Sequence, residues 1–373
     1  MLEGSATAEG TAHYRHHFRR LQEAGHFRTV PASPGLWLSS IGLGTYLGEP
    51  DDSADLEYTQ AIVAALSSGI NVLDTAINYR HQRSERNIGA ALAQLTSSQA
   101  LGREEVFVCT KAGYLPFDGN VPADPGAYFM REYLEPGIVD PAQLAGGMHC
   151  MAPRYLDNQI ERSRDNLGLQ TLDLFYLHNP ESQLADISRE KFYDRLAEAF
   201  TLLETQVKSA RLRFYGLATW NGLRVSERAR DYLDLFAIAG IAARVAGKHH
   251  HFRFLQLPFN LAMPEAYGLA NQGPGREKMP LLAAAAQLGI SVMGSATLYQ
   301  GRLAYGLPDA VRTALGMKTD AGNAIQFARS APGLTTALIG MGHEEHVAEN
   351  LKPAFIPPTT REQWHGLFSR SEP

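Results

Sequence analysis

Cysteine is nearly missing: only Cys109 and Cys150 occur in 373 residues. Two thiols cannot build a disulfide framework, so a reducing, cytoplasmic compartment is expected. A basic excess is missing too. Thirty-four Lys and Arg against 39 Asp and Glu leave a net charge of −5, which argues against general nucleic-acid binding. No apolar run approaches the roughly 18 residues of a membrane span, and the polar, small-residue start "MLEGSATAEGTAHYRHHFRR" has no charged-then-apolar leader. That start reads as a mobile arm or a surface-lying helix. No G-x-G-x-x-G opens a helix after a strand, which weakens a Rossmann reading. "HYRHHF" (13–18) and "KHHHF" (248–252) lack the spacing of a closed zinc site, and adjacent histidines diverge on regular structure, so no metal is expected.

What is present is alternation. Apolar strands recur near residues 40, 72, 108, 175, 215, 256, 292 and 338, and the stretches between them carry helical spacing, as in 57–70, 84–95, 152–168 and 189–209. "LWLSSIGLG" (36–44) supplies the first strand. Nearly continuous apolar strands separated by helices imply a parallel sheet buried on both faces. Eight such units favour a closed (β/α)8 TIM barrel over an open doubly wound sheet. The chain then divides into an N-terminal arm (1–35), the barrel (36–355) and a C-terminal tail (356–373). Residues 112–150, rich in Pro, Gly and aromatics, form a long loop insertion after the third strand. In a barrel such loops lie on the C-terminal rim, so a substrate-facing lid is preferred over a packing or dimer-contact insertion.

Four polar residues stand at or just past strand ends: Asp74, Tyr79, Lys111 and His178. Alone, each has an ordinary reading as a turn cap, loop packing, a surface-reaching lysine or a satisfied core histidine. Together they carry chemistry, because a lysine and an aspartate in buried strands are costly unless paired. A phenol is a poor acid at neutral pH. A neighbouring ammonium would stabilise the phenolate and lower its pKa, a carboxylate would keep that ammonium charged, and a histidine could orient a substrate oxygen. Cys109 reads as a buried apolar residue, while Cys150 is open between exposed and buried.

The stretches "IGLGTY", "GINVLDTAINYRHQRSERNIGAAL", "VFVCTK", "LDLFYLHNP", "FYGLATWN", "QLPFN" and "LIGMGHEEHVAENL" resemble the aldo-keto reductases in order and spacing, over about residues 36–355. The most specific part is D-T-A-x-x-Y followed by S-E-R-x-I-G-x-A-L. The resemblance implies an eight-stranded barrel that binds a nicotinamide dinucleotide without a Rossmann domain. It implies reversible reduction of an aldehyde or ketone by hydride transfer, with Tyr79 as proton donor, Lys111 and Asp74 as its tuning pair and His178 orienting the carbonyl. The partner is a small carbonyl or alcohol. The cofactor positions it implies are Gly44, Thr45, Tyr46, Thr219, Gln256 (for the carboxamide), Ser295, Gly340, Glu349 and Asn350. Departures occur: Ala218-Thr219 replaces the usual Ser-Asn pair, and Gly294 stands where many members place a stacking aromatic, a role Tyr299 could fill. Near the 2′-phosphate position stand His343, Glu344, Glu345 and His346, with Lys318 and Arg329 upstream as compensating cations. NADP is expected on the family's habit, with NAD open. The altered ring environment keeps a second reading in view, a dinucleotide-binding regulatory subunit with little or no turnover.

Overall fold

The computed structural model describes residues 1–275 and 277–369. Eight parallel strands close into a barrel: β1 (Ile41–Gly44), β2 (Val72–Asp74), β3 (Phe107–Ala112), β4 (Leu172–His178), β5 (Leu212–Ala218), β6 (Phe252–Pro258), β7 (Ser291–Ser295) and β8 (Leu334–Gly340). Closure is made by β8 on β1, with Ile339 opposite Leu43. A helix follows each strand: α1 (Asp52–Leu66), α2 (Arg83–Ser97), α3 (Pro153–Leu167), α4 (Arg189–Lys208), α5 (Leu235–Ala246), α6 (Leu281–Gln287), α7 (Asp320–Ser330) and α8 (Glu344–Asn350). All eight expected strands are therefore found, in a (β/α)8 barrel. No described helix is long and apolar enough to cross a membrane.

Local chemistry sets the helix bounds. Asp51 accepts the Ala54 amide and starts α1 before the first periodic apolar residue, while Gly69, at φ 108°, turns the chain into β2. In α3 a proline opens the first turn and left-handed Gly168 closes the last.

The floor differs from expectation. "LWLSSIGLG" is not one strand. Ser33–Ser39 pairs with Phe27–Val30 in a hairpin, and only Ile41–Gly44 enters the barrel. The break falls at two serines: the Ser39 amide bonds Asn71 Oδ1 (2.8 Å) and the Ser40 amide bonds the His26 carbonyl (2.6 Å), turning the chain from floor to wall. Leu36, Leu38 and Val30 of the hairpin, with Ala6, pack into the barrel interior against Val72, Phe107, Leu174, Phe214 and Phe254. The N-terminal arm is thus the barrel's plug. Its helix, Ala8–His17, lies across the floor with Tyr14 buried. Likewise the expected C-terminal tail includes a helix, Arg361–Ser369, whose Trp364 is fully buried and donates its indole N–H to the Phe327 carbonyl.

Candidate active site

Side chains on a strand repeat every two residues on one face. Val72, Cys109, Tyr176, Phe254, Met293 and Leu338 point into the barrel. Two residues further along stand Asp74, Lys111, His178, Gln256, Ser295 and Gly340, which therefore form the uppermost inward layer. The strand period alone gathers six of the expected site residues on one rim.

Lys111, fully buried, donates to Asp74 Oδ2 at 2.8 Å and to the Thr75 carbonyl at 2.7 Å, and its ammonium faces Tyr79 Oη at 3.4 Å. Burial is the largest influence and would lower the lysine pKa, but the Asp74 charge, the neighbouring Tyr79 and the hydrogen bond to Asp74 together outweigh it and leave Lys111 above its ordinary value. We take the pair as ionised at neutral pH: burial pushes the Asp74 carboxyl up, and Lys111 and the Gln256 amide, 2.6 Å from Oδ1, oppose that. Tyr79 departs from expectation. Burial raises its pKa above that of a free phenol, and Lys111 only partly reverses the rise. The phenol is a held proton in this state, and the ammonium serves to stabilise the phenolate once the proton leaves. The His178 ring meets Tyr79 edge-on, 5.8 Å between centroids. Burial, then the Lys111 charge, pushes its pKa well down, so the imidazole is neutral.

Several supporting residues escaped sequence reasoning. After Tyr79, Arg80, His81 and Gln82 all take left-handed backbone, which no glycine eases. Buried Arg80 anchors that turn through the Glu49 carbonyl, Asn87 and Asp55. The S-E-R stretch is scaffold: Ser84 donates to the Thr45 carbonyl, while Glu85 accepts from Thr110 and Asn166. His149, from the insertion, donates Nε2–H to the His178 carbonyl at 2.8 Å. Its Nδ1 accepts from Gln183, and burial holds its pKa down at about 4. Gly113 allows this approach, since a β-carbon there would lie 2.4 Å from the His178 carbonyl. One oxygen of buried Glu181 accepts the amides of Trp220, Asn221 and Gly222, fixing the loop after β5. Only long-range pairing reveals these roles. The one local signal was Arg80 adjoining Tyr79.

Of the remaining expected positions, Gly44, Thr45, Tyr46, Thr219, Ser295 and Gly340 stand at or just past strand ends on the same rim. Thr45 is buried with its hydroxyl on the Asp74 carbonyl, and Tyr46 is exposed with its ring 5.0 Å from that of Tyr79. Gly44 ends β1, Ser295 ends β7 and Gly340 ends β8. Thr219 follows β5, and its hydroxyl is buried without a partner, as is His178 Nδ1. On α8, Glu349 is exposed and Asn350 buried. Arg329 is a correction. It lies at the floor, fully buried, bonded to Ser40, Gln326 and the carbonyls of Pro353 and Ile356, because the C-terminal end of α7 feeds the bottom of β8. It cannot reach a rim ligand. Lys318 is exposed, and His343 lies 3.6 Å from Glu57. Tyr299 sits in the loop after β7 with φ 47° and its ring under Arg302.

The insertion divides in two. Phe117, Tyr128, Phe129 and Tyr133 pack on one another and on Tyr155, as the packing alternative had it. Of these aromatics only Tyr114 turns to the site, its ring 5.5 Å from His178 and its hydroxyl near Ser182 and Asn179, alongside His149. Beside it opens a cavity of ≈ 450 Å³ lined by Tyr114, Asn179, Glu181, Ser182, Trp220 and Asn221. A larger depression of ≈ 570 Å³ lies around Ser188 and Arg228, and neither lining includes any of the four residues. Both cysteines are buried, and burial raises the Cys150 thiol to about 11.

Comparison with known proteins bears on the family and the fold. The chain is 28% identical over 232 residues to a D-threo-aldose 1-dehydrogenase of Pseudomonas sp, covering 56% of this chain and 59% of that protein. It is 27% identical over 202 residues to an NADH-specific methylglyoxal reductase of Escherichia coli (strain K12), covering 53% and 52%. The chain thus spans only between half and three-fifths of these relatives. An aldo/keto reductase from Klebsiella pneumoniae, solved in complex with NADP and acetate, superposes with a TM-score of 0.59 at 21% identity, covering 90% of this chain and 92% of that one. The holo form of an aldo-keto reductase from Bacillus halodurans gives 0.61 at 18%, covering 92% and 95%. At such identities the structures speak for the fold alone. The family model for the aldo/keto reductase family, however, matches residues 40–367, nearly the whole chain, and the protein belongs to that family.

Proposed function

We propose that the chain is a nicotinamide-dependent oxidoreductase that reversibly reduces an aldehyde or ketone to an alcohol, with Tyr79 as proton donor. The observation that carries this reading is the Lys111 ammonium, locked on Asp74 and facing Tyr79 Oη at 3.4 Å. The rim suits a nicotinamide dinucleotide. The unpaired Thr219 hydroxyl and the Gln256 amide, one hydrogen of which is already on Asp74, would hold the carboxamide, and Asn350 and Glu349 the adenine side. When bound and reduced, that group supplies a hydride to the carbonyl carbon.

The chain's own residues manage position and proton. Neutral His178 offers an N–H to the substrate oxygen and sets it against Tyr79. Tyr79 gives its proton to that oxygen. Lys111, kept charged by Asp74, stabilises the resulting phenolate, so the ion pair acts where charge develops. The cavity beside Tyr114, whose ring in turn meets His178, carries hydroxyl and amide groups, Arg230, Asp231 and the exposed face of Trp220, and suits a small hydroxylated carbonyl compound. The name of the Pseudomonas relative is in keeping with such a substrate. Near the expected 2′-phosphate position, Glu344 and Glu345 are exposed and Arg329 is out of reach, which favours NADH over NADPH.

The test is a fluorescence-quenching titration with NADH and NADPH, followed by turnover of small hydroxyaldehydes by the native protein and by Tyr79→Phe. Binding of a reduced dinucleotide by both, with turnover lower in the variant by about 10²- to 10⁴-fold, supports the reading. Failure to bind either dinucleotide would sink it.

A further inference from the structure

A second cluster of chemistry-bearing side chains lies at the opposite end of the barrel from the rim. His13 and His17 are one turn apart on the N-terminal helix, Ala8–His17, and Glu105 ends the short turn Arg103–Glu105 that leads into β3. One ligand atom from each lies within 4.8 Å of the other two. Adjacent histidines on a helix diverge, but the i, i+4 pair shares a face, and the fold adds the carboxylate from 92 residues away. We propose that His13, His17 and Glu105 form a binding site for a divalent transition ion of the zinc class, which ties the N-terminal helix to the barrel floor.

The donors suit that ion. Two imidazoles and a carboxylate are a borderline set, matched to zinc-class ions rather than calcium or magnesium. Ligands at roughly 2.0–2.2 Å from a tetrahedral ion lie about 3.3 Å apart, so small side-chain rotations close the site. His13 Nδ1 already lies 2.7 Å from Glu105 Oε1, and the ion would take the place of the proton they share. The other groups are oriented. His17 Nδ1 donates to the His13 carbonyl at 3.2 Å, which leaves the lone pair on Nε2. Glu105 Oε2 accepts the Gly102 amide, which leaves Oε1 for the ion.

The two elements are also held in register without the ion. The Thr7 amide bonds the Glu104 carbonyl at 2.9 Å, and a β-carbon on Gly10 would lie 2.5 Å from that same carbonyl, so only glycine permits the helix to sit this close. A site preorganised in this way loses little on binding. The fourth position is left to water.

Isothermal titration of the metal-free chain with zinc alone tests the proposal. One equivalent is expected, with affinity at least tenfold lower in His17→Ala and in Glu105→Gln. Zinc should raise the melting temperature of the native chain and not that of His17→Ala. His17 is exposed and far from the rim, so that variant should fold and keep its turnover. A His249→Ala/His251→Ala variant should bind as the native chain does. The proposal is overturned if the native chain binds no zinc at micromolar concentration, if His17→Ala binds as the native chain does, or if the equivalent disappears with the 249/251 pair.

Discussion

Two buried ion pairs lie on neighbouring strands of the barrel, and only one of them is set up for chemistry. At the rim, Lys111 meets Asp74 at 2.8 Å; toward the floor, Arg103 meets Asp173 at 2.7 Å, both pairs almost wholly buried. The floor pair is held by scaffold, with only Arg103 Nε left unpaired. Asp173 also accepts the Ala6 and Val108 amides, and Arg103 spends its other bonds on the Val106 and Thr171 carbonyls. The rim pair points its spare capacity at a side chain: the ammonium is left facing a phenol, with the unpaired nitrogen of His178 close by. Burial and pairing alone do not mark a catalytic charge. What marks it is a partner that can change its own charge.

Breaking each pair should separate the two roles. Lys111→Met should lower kcat/KM about 10³-fold, roughly 4 kcal/mol, with dinucleotide binding and circular dichroism retained. Turnover within tenfold of native would remove the lysine from the phenolate's support. Asp173→Ala should do the reverse. It strands a buried guanidinium and two amides, a loss of about 3–4 kcal/mol read as a lower urea midpoint, while the protein that remains folded keeps kcat/KM within about twofold. A tenfold fall in kcat/KM at full folding would erase the distinction.

Two buried histidines extend the comparison. His26 bonds Ser40 and the Gly69 carbonyl at the floor, and burial holds its pKa down at about 3; His149 bonds the His178 carbonyl at the rim and is held at about 4. Both folded values lie below the ordinary 6.5, so the unfolded chain binds protons that the folded chain does not. Their contribution is complete above about pH 6.5 and is lost as pH falls toward 4 and then 3. Between pH 7 and 5 each should cost on the order of 2 kcal/mol, read from urea midpoints at the two pH values. His26→Gln and His149→Gln should each flatten that slope. Only His149→Gln should also raise KM or lower kcat, because it releases the His178 backbone.

The barrel was legible because its signal is local and repeated. Apolar strands declare themselves residue by residue, and the D-T-A-x-x-Y stretch carries two site residues within six positions. Asp173 shows the limit. It sits inside "LDLFYLH", read only as an apolar strand, since its partners come from residues 6, 103 and 108. Arg329 shows the opposite error: proximity in sequence to the 2′-phosphate segment suggested a ligand role, and the helix carried it to the other end of the barrel. Glu105 beside His13, His149 beneath His178 and Glu181 under the Trp220 loop are all products of closure, for which no short window holds a signal. The hairpin plug hid for a further reason, since Ser33–Ser39 and Ile41–Gly44 read as one run until the backbone turns at Ser39-Ser40.

The smallest effect tests how the rim pair is kept distinct. Gln256 lies one layer above the buried Phe254, and its amide donates to Asp74 Oδ1 at 2.6 Å, opposite the oxygen that Lys111 holds. Among the described residues no backbone amide bonds this carboxylate as Ala6 and Val108 bond Asp173, so Gln256 is the neutral group that helps keep it ionised. Gln256→Leu removes that donor at nearly constant volume. The Asp74 carboxyl, already pushed up by burial, should rise further, and protonating it takes the counter-charge from Lys111. The acid limb of the kcat profile should therefore move to higher pH, with kcat at neutral pH falling about tenfold, near 1.4 kcal/mol. Weaker dinucleotide binding alone would raise the cofactor KM and leave that limb in place. A changed KM with an unmoved acid limb would make Gln256 a cofactor ligand only, and would leave Lys111 as the sole guardian of the Asp74 charge.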